Sequence, residues 1–118
     1  MTKMKPLLPS LREKKRYLAF EVISNKKIGD FSHLSEAFWS ECLSYLGTSG
    51  TADAGVWLLA DMWDEKTQKG LIRINHKNVH NVKTALTLMQ KINRQNVIVK
   101  SLGVSGILKK AKDRYLAG

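Results

Sequence analysis

Three histidines and a few acidic residues are the side chains of this 118-residue chain that could act in catalysis or bind a metal. His76 and His80 are four residues apart, but the pattern puts His76 at a strand end and His80 at a helix start. No cysteine and no H-E-x-x-H motif completes a ligand set. Two carboxylates can hold Mg²⁺, but Asp64 lies in a predicted hairpin loop where acids are ordinary, and a single acid such as Asp53 is not a site. We therefore predict no catalytic residue and no metal ligand in this chain.

The single cysteine and the missing motifs narrow the function further. Cys42 falls on an apolar helical stripe without a basic neighbour, so we expect a core thiol and not a nucleophile. One cysteine also excludes a disulfide framework and a multi-thiolate metal site, which fits a reducing, cytoplasmic setting. No P-loop, G-x-S-x-G or G-x-G-x-x-G motif is present. The N-terminus lacks the apolar segment of a secretion signal, and no apolar run is long enough to predict a membrane span.

Positive charge is the strongest signal in the composition. Twenty Lys and Arg face ten Asp and Glu, which gives a net charge of +10 and a pI of about 9.9. Residues 1–16 carry six bases against one acid, residues 17–64 two bases against seven acids, and residues 65–118 twelve bases against two acids. This distribution favours a polyanionic partner such as nucleic acid. A solvated basic surface that only keeps a small protein soluble is the alternative.

The residues predicted to contact RNA phosphates fall in three segments: the basic residues just before and at the start of the first strand, the third strand, and a terminal helix. They are Lys14, Lys15, Arg16, Arg73, Lys77, Ser105, Gly106, Lys109, Lys110 and Arg114. We expect a helix that starts at Ser105–Gly106, so that its first backbone N–H groups and its dipole face an anion. Lys109 and Lys110, nearest that start, are expected to matter more than Lys112.

Hydrophobic periodicity and turn residues predict the elements that must position these side chains. Four strands are predicted at 16–24, 56–63, 71–77 and 96–104, with the second in the centre of a sheet because both of its faces are apolar. Three helices are also predicted. One starts after Asp30 or Ser32 and ends at Gly47, before a loop at 48–55; one starts at Asn78 and carries an apolar stripe to Ile92; one spans 105–116.

The order β-α-β-β-α-β plus a terminal helix predicts an α+β, ferredoxin-like or RRM-like fold with a four-stranded antiparallel sheet. Both inner helices then cover one face, and Trp57 or Trp63 joins Phe38 and Leu86 in the core. Residues 1–10 are predicted to be a flexible basic arm, and residues 11–118 a single domain. The third strand has no aromatic residue, so base-by-base RNA recognition of the RRM kind is not expected on the sheet.

Four segments of the chain together resemble ribonuclease P protein component 2 of archaea and its eukaryotic counterpart. They are R-E-K-K-R-Y-L-A-F-E-V at 12–22, G-T-S-G-T-A-D-A-G-V at 47–56, K-G-L-I-R at 69–73 and V-S-G-I-L-K-K-A at 104–111. The order and spacing of these segments carry the resemblance, which spans residues 11–116.

The resemblance implies a noncatalytic protein subunit of ribonuclease P, the ribonucleoprotein endonuclease that removes 5′ leaders from precursor tRNA. It implies that the RNA subunit carries the catalytic Mg²⁺ and that this chain binds no cofactor of its own. It also implies two protein contacts, with the TIM-barrel-like protein component 3 and with a second copy of the chain in a heterotetramer. Two other functions stay open: a protein–protein assembly module, and a small metal-dependent nuclease that uses Asp53, Asp61 or Asp64.

Overall fold

A computed structural model describes residues 14–116, so the predicted arm at 1–10 lies outside the described residues. The α+β class and the β-α-β-β-α-β order are confirmed, with one additional short strand. The strands are β1 (Lys15–Ser24), β2 (Trp57–Leu58), β3 (Lys69–Asn75), β4 (Lys91–Ile92) and β5 (Gln95–Ser105). The helices are α1 (Phe31–Ala54), α2 (Val79–Leu88) and α3 (Leu108–Ala111), with 3₁₀ turns at Ala60–Met62 and His76–Asn78 and a π-helical segment at Lys112–Leu116.

The sheet has the strand order β2-β3-β1-β5-β4, and all of its pairings are antiparallel. β1 and β3 are therefore neighbours in the middle of the sheet. The additional strand, β4, forms a hairpin with β5 through Asn93 and Arg94, which have φ of 50° and 67°. Two consecutive left-handed residues are typical of the tight turn that joins two twisted strands. The predicted helical stripe to Ile92 is wrong for this reason: α2 ends at Leu88, and Ile92 belongs to β4.

The second strand differs most from its prediction. Instead of spanning 56–63 in the centre of the sheet, β2 has two residues and lies at the edge beside β3. The chain then leaves the ladder in the 3₁₀ turn Ala60–Met62. This segment is apolar on both sides because each face of the sheet is covered there. Leu58 packs under the helices, while Leu59 and Met62 pack on the other face under the C-terminal segment.

Helix α1 begins where its sequence predicts and continues beyond its predicted end. Asp30 is the N-cap, and its carboxylate accepts hydrogen bonds from the backbone N and Oγ of Ser32 at 2.9 and 2.8 Å. Gly47, with φ 77° and ψ 173°, kinks the helix without ending it, and the predicted loop at 48–55 is helical to Ala54. Thr51 Oγ1 donates to the Gly47 carbonyl at 2.7 Å across the kink. Gly55, in the left-handed conformation, is the residue that ends the helix.

The face of the sheet under α1 and α2, here the α face, carries the main core. Phe38 of α1 and Leu86 of α2 are fully buried against Leu18 and Ile72, as predicted for the two helices. Trp63 is the tryptophan that joins them: its ring stacks on Phe20 with centroids 6.1 Å apart and an interplanar angle of 16°. Trp57 points away from this core, and its side chain is 59% exposed.

The opposite face of the sheet, here the second face, is covered over one half by the C-terminal segment. Ala111 of α3 packs with Ala19 and Leu71 in a separate small cluster, which Leu108 and Tyr115 border. The predicted terminal helix at 105–116 is wrong at its start, because β5 continues to Ser105 and the four-residue α3 begins only after Ile107. The other half of this face is open, and Ile23 and Ile98 pair across it with side chains 47% and 65% exposed.

One irregularity in β5 sets which residues reach the second face. Ala19 pairs with Gly103 but the next residue, Phe20, pairs with Ser101, so Leu102 is an extra residue in a β-bulge. Beyond the bulge, Val104 packs toward the α face and Gly103 lies under Tyr115. No helix within residues 14–116 combines the length and hydropathy that a membrane span requires.

Candidate nucleic-acid interface

Strand register brings most of the predicted RNA-contacting residues to one end of the sheet. Lys15 pairs with Asn75 and Tyr17 pairs with both Arg73 and Ser105, so the start of β1 lies between the ends of β3 and β5. We call this surface the basic end and define it by its members: Lys14, Lys15, Arg16, Arg73, His76, Lys77, Ser105 and Gly106. Their arrival at one surface follows from strand order alone, since the N-terminus of β1 and the C-termini of its two antiparallel neighbours meet at one edge.

A backbone hydrogen bond joins Lys14, just before β1, to the turn after β3. The His76 N–H donates to the Lys14 carbonyl at 2.7 Å, which continues the β1–β3 ladder by one residue. His76 and Lys77 lie in the 3₁₀ turn that follows β3, and both are exposed. The third strand, predicted at 71–77, therefore ends at Asn75, and Lys77 lies in the turn that follows it.

Asn75 is the buried residue that ends β3 and ties it to α1. Its side chain is 1% exposed, and its Oδ1 accepts hydrogen bonds from the backbone N and the Nδ2 of Asn78 at 3.1 and 2.8 Å. Its Nδ2 donates to the carbonyl of Asp53, near the C-terminus of α1. Because every polar atom of this amide is engaged inside the protein, Asn75 positions the basic end and does not itself face a ligand.

Two glycines let basic side chains lie close to the backbone at this end. The Nη1 of Arg16 is 3.4 Å from the position that a Cβ would take on Gly106, and Lys15 Nζ is 3.4 Å from the equivalent position on Gly55. Lys15 therefore extends toward the start of β2, and Arg16 toward the end of β5. The two neighbouring cations diverge, so the basic end is broad.

Arg73 links the basic end to the sheet edge. Its guanidinium carbon lies 5.9 Å from the centroid of the Trp57 ring, within the range of a cation–π contact. Its Nε is buried and has no hydrogen-bond partner within residues 14–116. Trp57, Arg73, Tyr17 and Ser105 are consecutive cross-strand partners, and they form one row across the second face.

Ser105 and Gly106 belong to the basic end but do not start a helix. Ser105 Oγ accepts from the N–H of Ile107 at 3.2 Å and donates to the Ile107 carbonyl at 3.1 Å, which makes a local turn. The Ile107 N–H is therefore already used, and helical residues begin only at Leu108, so Ser105 and Gly106 do not lie in a first helical turn. The predicted helix start at Ser105–Gly106 is therefore wrong, whereas contact of these two residues with RNA stays a prediction.

The remaining candidates follow the C-terminal segment away from the basic end. Lys109 and Lys110 are exposed on α3, close in sequence to Gly106. Arg114 is exposed further along, in the π-helical segment. Its neighbours Lys112 and Asp113 line a cavity of about 600 Å³ together with the acidic turn before β3, at the opposite end of that strand. Lys109 and Lys110 can thus extend the basic end, whereas Arg114 lies in a region of mixed charge.

The acidic candidates are not gathered into one site. Asp61 and Asp64 border the 600 Å³ cavity, while Asp53 lies at the end of α1 beside Asn75. A hydrogen bond from the Lys66 N–H is the main cause that lowers the pKa of Asp64, which identifies this carboxylate as a turn residue. Within residues 14–116, no three His, Cys, Asp or Glu side chains are grouped in a way that could hold a metal ion.

Cys42 is a core residue, as its sequence position predicts. Its side chain is fully buried, and burial, with a smaller effect from the Glu41 charge, raises the pKa of the thiol to about 12. Sequence reasoning missed two members of this region, His76 at the basic end and Trp57 beside it. The sequence carried no clear signal for Trp57, because Val56, Leu58 and Leu59 around it are also apolar.

Comparison with known proteins gives consistent relatives over nearly the whole chain. The sequence profile of the Rpp14/Pop5 family matches residues 16–116. Ribonuclease P protein component 2 of Pyrococcus furiosus is 45% identical over 113 residues, which cover 96% of this chain and 92% of the relative. The proteins of the same name from Thermococcus kodakarensis and Methanosarcina acetivorans are 41% and 38% identical, over 98% and 96% of this chain and 93% and 82% of their own lengths.

A solved structure shares the fold. A chain in the cryo-EM structure of yeast ribonuclease MRP superposes with a TM-score of 0.62, at 13% identity, over 80% of this chain and 76% of that chain. At this identity the likeness concerns the fold alone. The resemblance that the four sequence segments carry is thus confirmed by the profile and by the relatives: the chain belongs to the Rpp14/Pop5 family.

Proposed function

We propose that this chain is a noncatalytic, RNA-binding protein subunit of ribonuclease P. In this proposal the RNA subunit, with its bound Mg²⁺, removes the 5′ leader from precursor tRNA, and the protein supports that RNA. The names of the relatives support the assignment to ribonuclease P. The absence from the sequence of a recognisable nucleophile, acid–base pair or metal-binding motif supports a noncatalytic role.

The observation that carries the RNA-binding part is the basic end. Lys14, Lys15 and Lys77 are exposed there, and Arg16 and Arg73 reach it from adjacent strands. Several cations on one surface release several counterions when they meet a phosphate backbone, and this release dominates the affinity of proteins for nucleic acid. An arrangement of this kind contacts phosphates without reading bases, which suits a protein that stabilises a folded RNA.

The proposal extends to partners and location. The direct partners are the ribonuclease P RNA and the TIM-barrel-like protein component 3, with two copies of each protein in a heterotetramer. Precursor tRNA is contacted indirectly, through the assembled enzyme. The assembly is proposed to work in the cytoplasm, where the one thiol, Cys42, stays reduced.

The test is a salt titration of RNA binding by the full chain and by charge variants. Lys14→Ala with Lys15→Ala is expected to weaken binding to ribonuclease P RNA and to reduce the slope of log K against log[salt] by about 0.7–0.9 for each phosphate that the variant no longer binds. The matched control is Lys26→Ala with Lys91→Ala. It removes the same charge from exposed residues at the opposite end of the sheet, and it is expected to keep the slope.

Two results would overturn the proposal. An equal reduction of the slope in both double variants would mean that net charge and not the basic end determines binding. Cleavage of precursor tRNA by the protein alone in Mg²⁺, abolished by substituting Asp61 or Asp64, would show the metal-dependent nuclease instead.

A protein-assembly role is the second candidate, and one observation favours it. Ile23 and Ile98 are cross-strand neighbours on the open half of the second face, and both side chains are strongly exposed. Paired apolar groups on an open sheet face favour a protein contact. If assembly is the whole function, Ile98→Lys will abolish association with protein component 3 while RNA affinity is negligible at every salt concentration.

A further inference from the structure

Trp57 has an unusual position for a large aromatic side chain. It lies on β2, at the free edge of the sheet, and its side chain is 59% exposed although its neighbours Val56 and Leu58 are buried. Leaving an indole in water gives up the free energy that its burial would provide. An exposed tryptophan next to a cationic surface is the usual composition of a stacking platform for nucleic-acid bases.

One cation contacts this ring, and a second lies near the residues that lead into β2. Arg73 lies against it at 5.9 Å, and the buried Nε of Arg73 has no acceptor within residues 14–116. Lys15 Nζ reaches the backbone at Gly55, two residues before Trp57. A nucleotide combines a flat aromatic base with an anionic phosphate, and the juxtaposition of one exposed indole with two cations matches both parts.

The surface beside Trp57 is concave and apolar. Trp57 borders a cavity of about 550 Å³ along the β2 edge, a volume within the range of small-ligand pockets. The rest of its lining is Trp39, Leu58, Leu59, Ala60, Asp61, Met62 and Leu108. Asp61 is the one charged residue in that lining. Its carboxylate repels phosphate but accepts hydrogen bonds, so the cavity suits a base with an exocyclic amino group and the phosphates belong on the Lys15 and Arg73 side.

We propose that Trp57 is a stacking site for an unpaired nucleobase of RNA, with the adjoining phosphates bound by Lys15 and Arg73. This inference rests on the proposed RNA-binding function and adds to it a preference for single-stranded nucleotides at one point of the interface. It agrees with the expectation that the sheet does not recognise RNA base by base, because a single base is received at the β2 edge and not on the central strands.

The experiment compares two RNAs that carry the same number of phosphates: a hairpin with an unpaired loop and a blunt duplex. The wild-type chain is expected to prefer the hairpin. Trp57→Ala is expected to weaken hairpin binding by about 5- to 150-fold, the range for one stacked base, and to leave duplex binding and its salt slope unchanged. Trp57→Phe, which keeps an aromatic ring, is expected to restore most of the preference. Tyr45→Ala removes another exposed aromatic ring, on α1, and serves as the control.

A second readout identifies the contact directly. A hairpin with 5-bromouridine in its loop is expected to form a photo-crosslink within the β2 peptide that contains Trp57. Wild-type affinity of Trp57→Ala for the hairpin, with crosslinks elsewhere, would overturn the stacking site while leaving RNA binding intact. The same affinity together with weakened association with a protein partner would assign the β2 edge to protein. Failure of the wild type to bind either RNA would instead contradict the RNA-binding function itself.

Discussion

Gly103 of β5 lies directly under the side chain of Tyr115, and the space that a Cβ would occupy on Gly103 is filled by the phenol ring and hydroxyl. This contact joins the end of the chain to the second face of the sheet. Since Tyr115 belongs to the small cluster around Ala111, Gly103 controls how closely the C-terminal segment packs.

Gly103→Ala is expected to displace Tyr115 and to lower the free energy of unfolding by about 1–3 kcal/mol, the usual cost of overpacking. Chemical denaturation measures this change. Tyr115→Ala in the same background removes the clash, so the double variant is expected to be less destabilised than the sum of the two single changes. Strict additivity would show that the two residues do not interact.

Trp63 and Trp57 are expected to differ sharply in their effect on stability. Trp63→Ala removes a ring stacked on Phe20 in the main core and is expected to cost about 3 kcal/mol, whereas Trp57→Ala is expected to stay within about 0.5 kcal/mol of wild type. Thermal unfolding followed by circular dichroism makes the comparison. Trp63→Phe keeps an aromatic ring and removes a buried indole N–H that has no partner within residues 14–116, so it is expected to be nearly neutral. Equal destabilisation by the two alanine variants would contradict the placement of Trp63 in the core and of Trp57 at the surface.

Lys109 and Lys110 are expected to contribute to RNA binding more than Lys112 does. The first two are exposed near Gly106, while Lys112 lines the cavity that Asp61 and Asp64 also border. Alanine at both Lys109 and Lys110 is expected to lower RNA affinity, the salt slope and the activity of the reconstituted enzyme at low Mg²⁺. Lys112→Ala is the control, because it removes a lysine from the same C-terminal segment. If the double variant keeps the wild-type slope, the C-terminal segment has only a structural role.

Asp30 is expected to make stability depend on pH in the acidic range. Hydrogen bonds from Ser32, first from its hydroxyl and then from its backbone N–H, lower the pKa of Asp30 in the folded chain. A lowered folded pKa adds stability above the unfolded value of about 3.9, and this stability is lost as pH falls through the folded pKa. Asp30→Asn keeps the capping oxygen but does not titrate, so its unfolding free energy is expected to fall less than that of wild type between about pH 5 and pH 2. Parallel curves would show that Asp30 is not coupled to folding.

Cys42 is expected to resist alkylation in the folded protein. Burial raises the pKa of its thiol to about 12, so almost no thiolate is present at neutral pH, and the side chain is also inaccessible. Reaction with a thiol reagent at pH 8 is therefore expected to follow global unfolding and to become fast only in denaturant. Rapid labelling of the native chain would mean that α1 opens locally around its kink at Gly47.

The general architecture could be predicted because two local signals agree with it. The switch from period two to period 3.6 near Phe31 marks the first strand and helix, and Asp30 is a clear N-cap. From the order of elements, right-handed crossovers place β1 beside β3, and this adjacency brings Lys15 beside Asn75, at the end of the strand that carries Arg73. Much of the basic end could therefore be predicted from the sequence alone.

The errors arise where a local signal has two structural meanings. Glycine ends helices more often than it kinks them, so Gly47 suggested a stop, but the helix continues past the kink with Thr51 and Ala54 buried. The apolar β2 segment suggested a central strand because a covered second face and a central position produce the same pattern. Ser105–Gly106 matched a helix start, although the bulged β5 strand continues through Ser105. In each case tertiary packing decides between the two structures, and tertiary packing cannot be predicted from a short segment of sequence.

The bulge at Leu102 marks the one position in β5 where the strand can lose a residue during evolution. Deletion of this unpaired residue would restore a regular ladder and leave the faces of the positions that follow unchanged. Val104 would still pair with Leu18, and Ser105 would stay in the row that holds Tyr17, Arg73 and Trp57. We expect single-residue gaps in alignments of homologous chains to fall at the bulge and not elsewhere in β5.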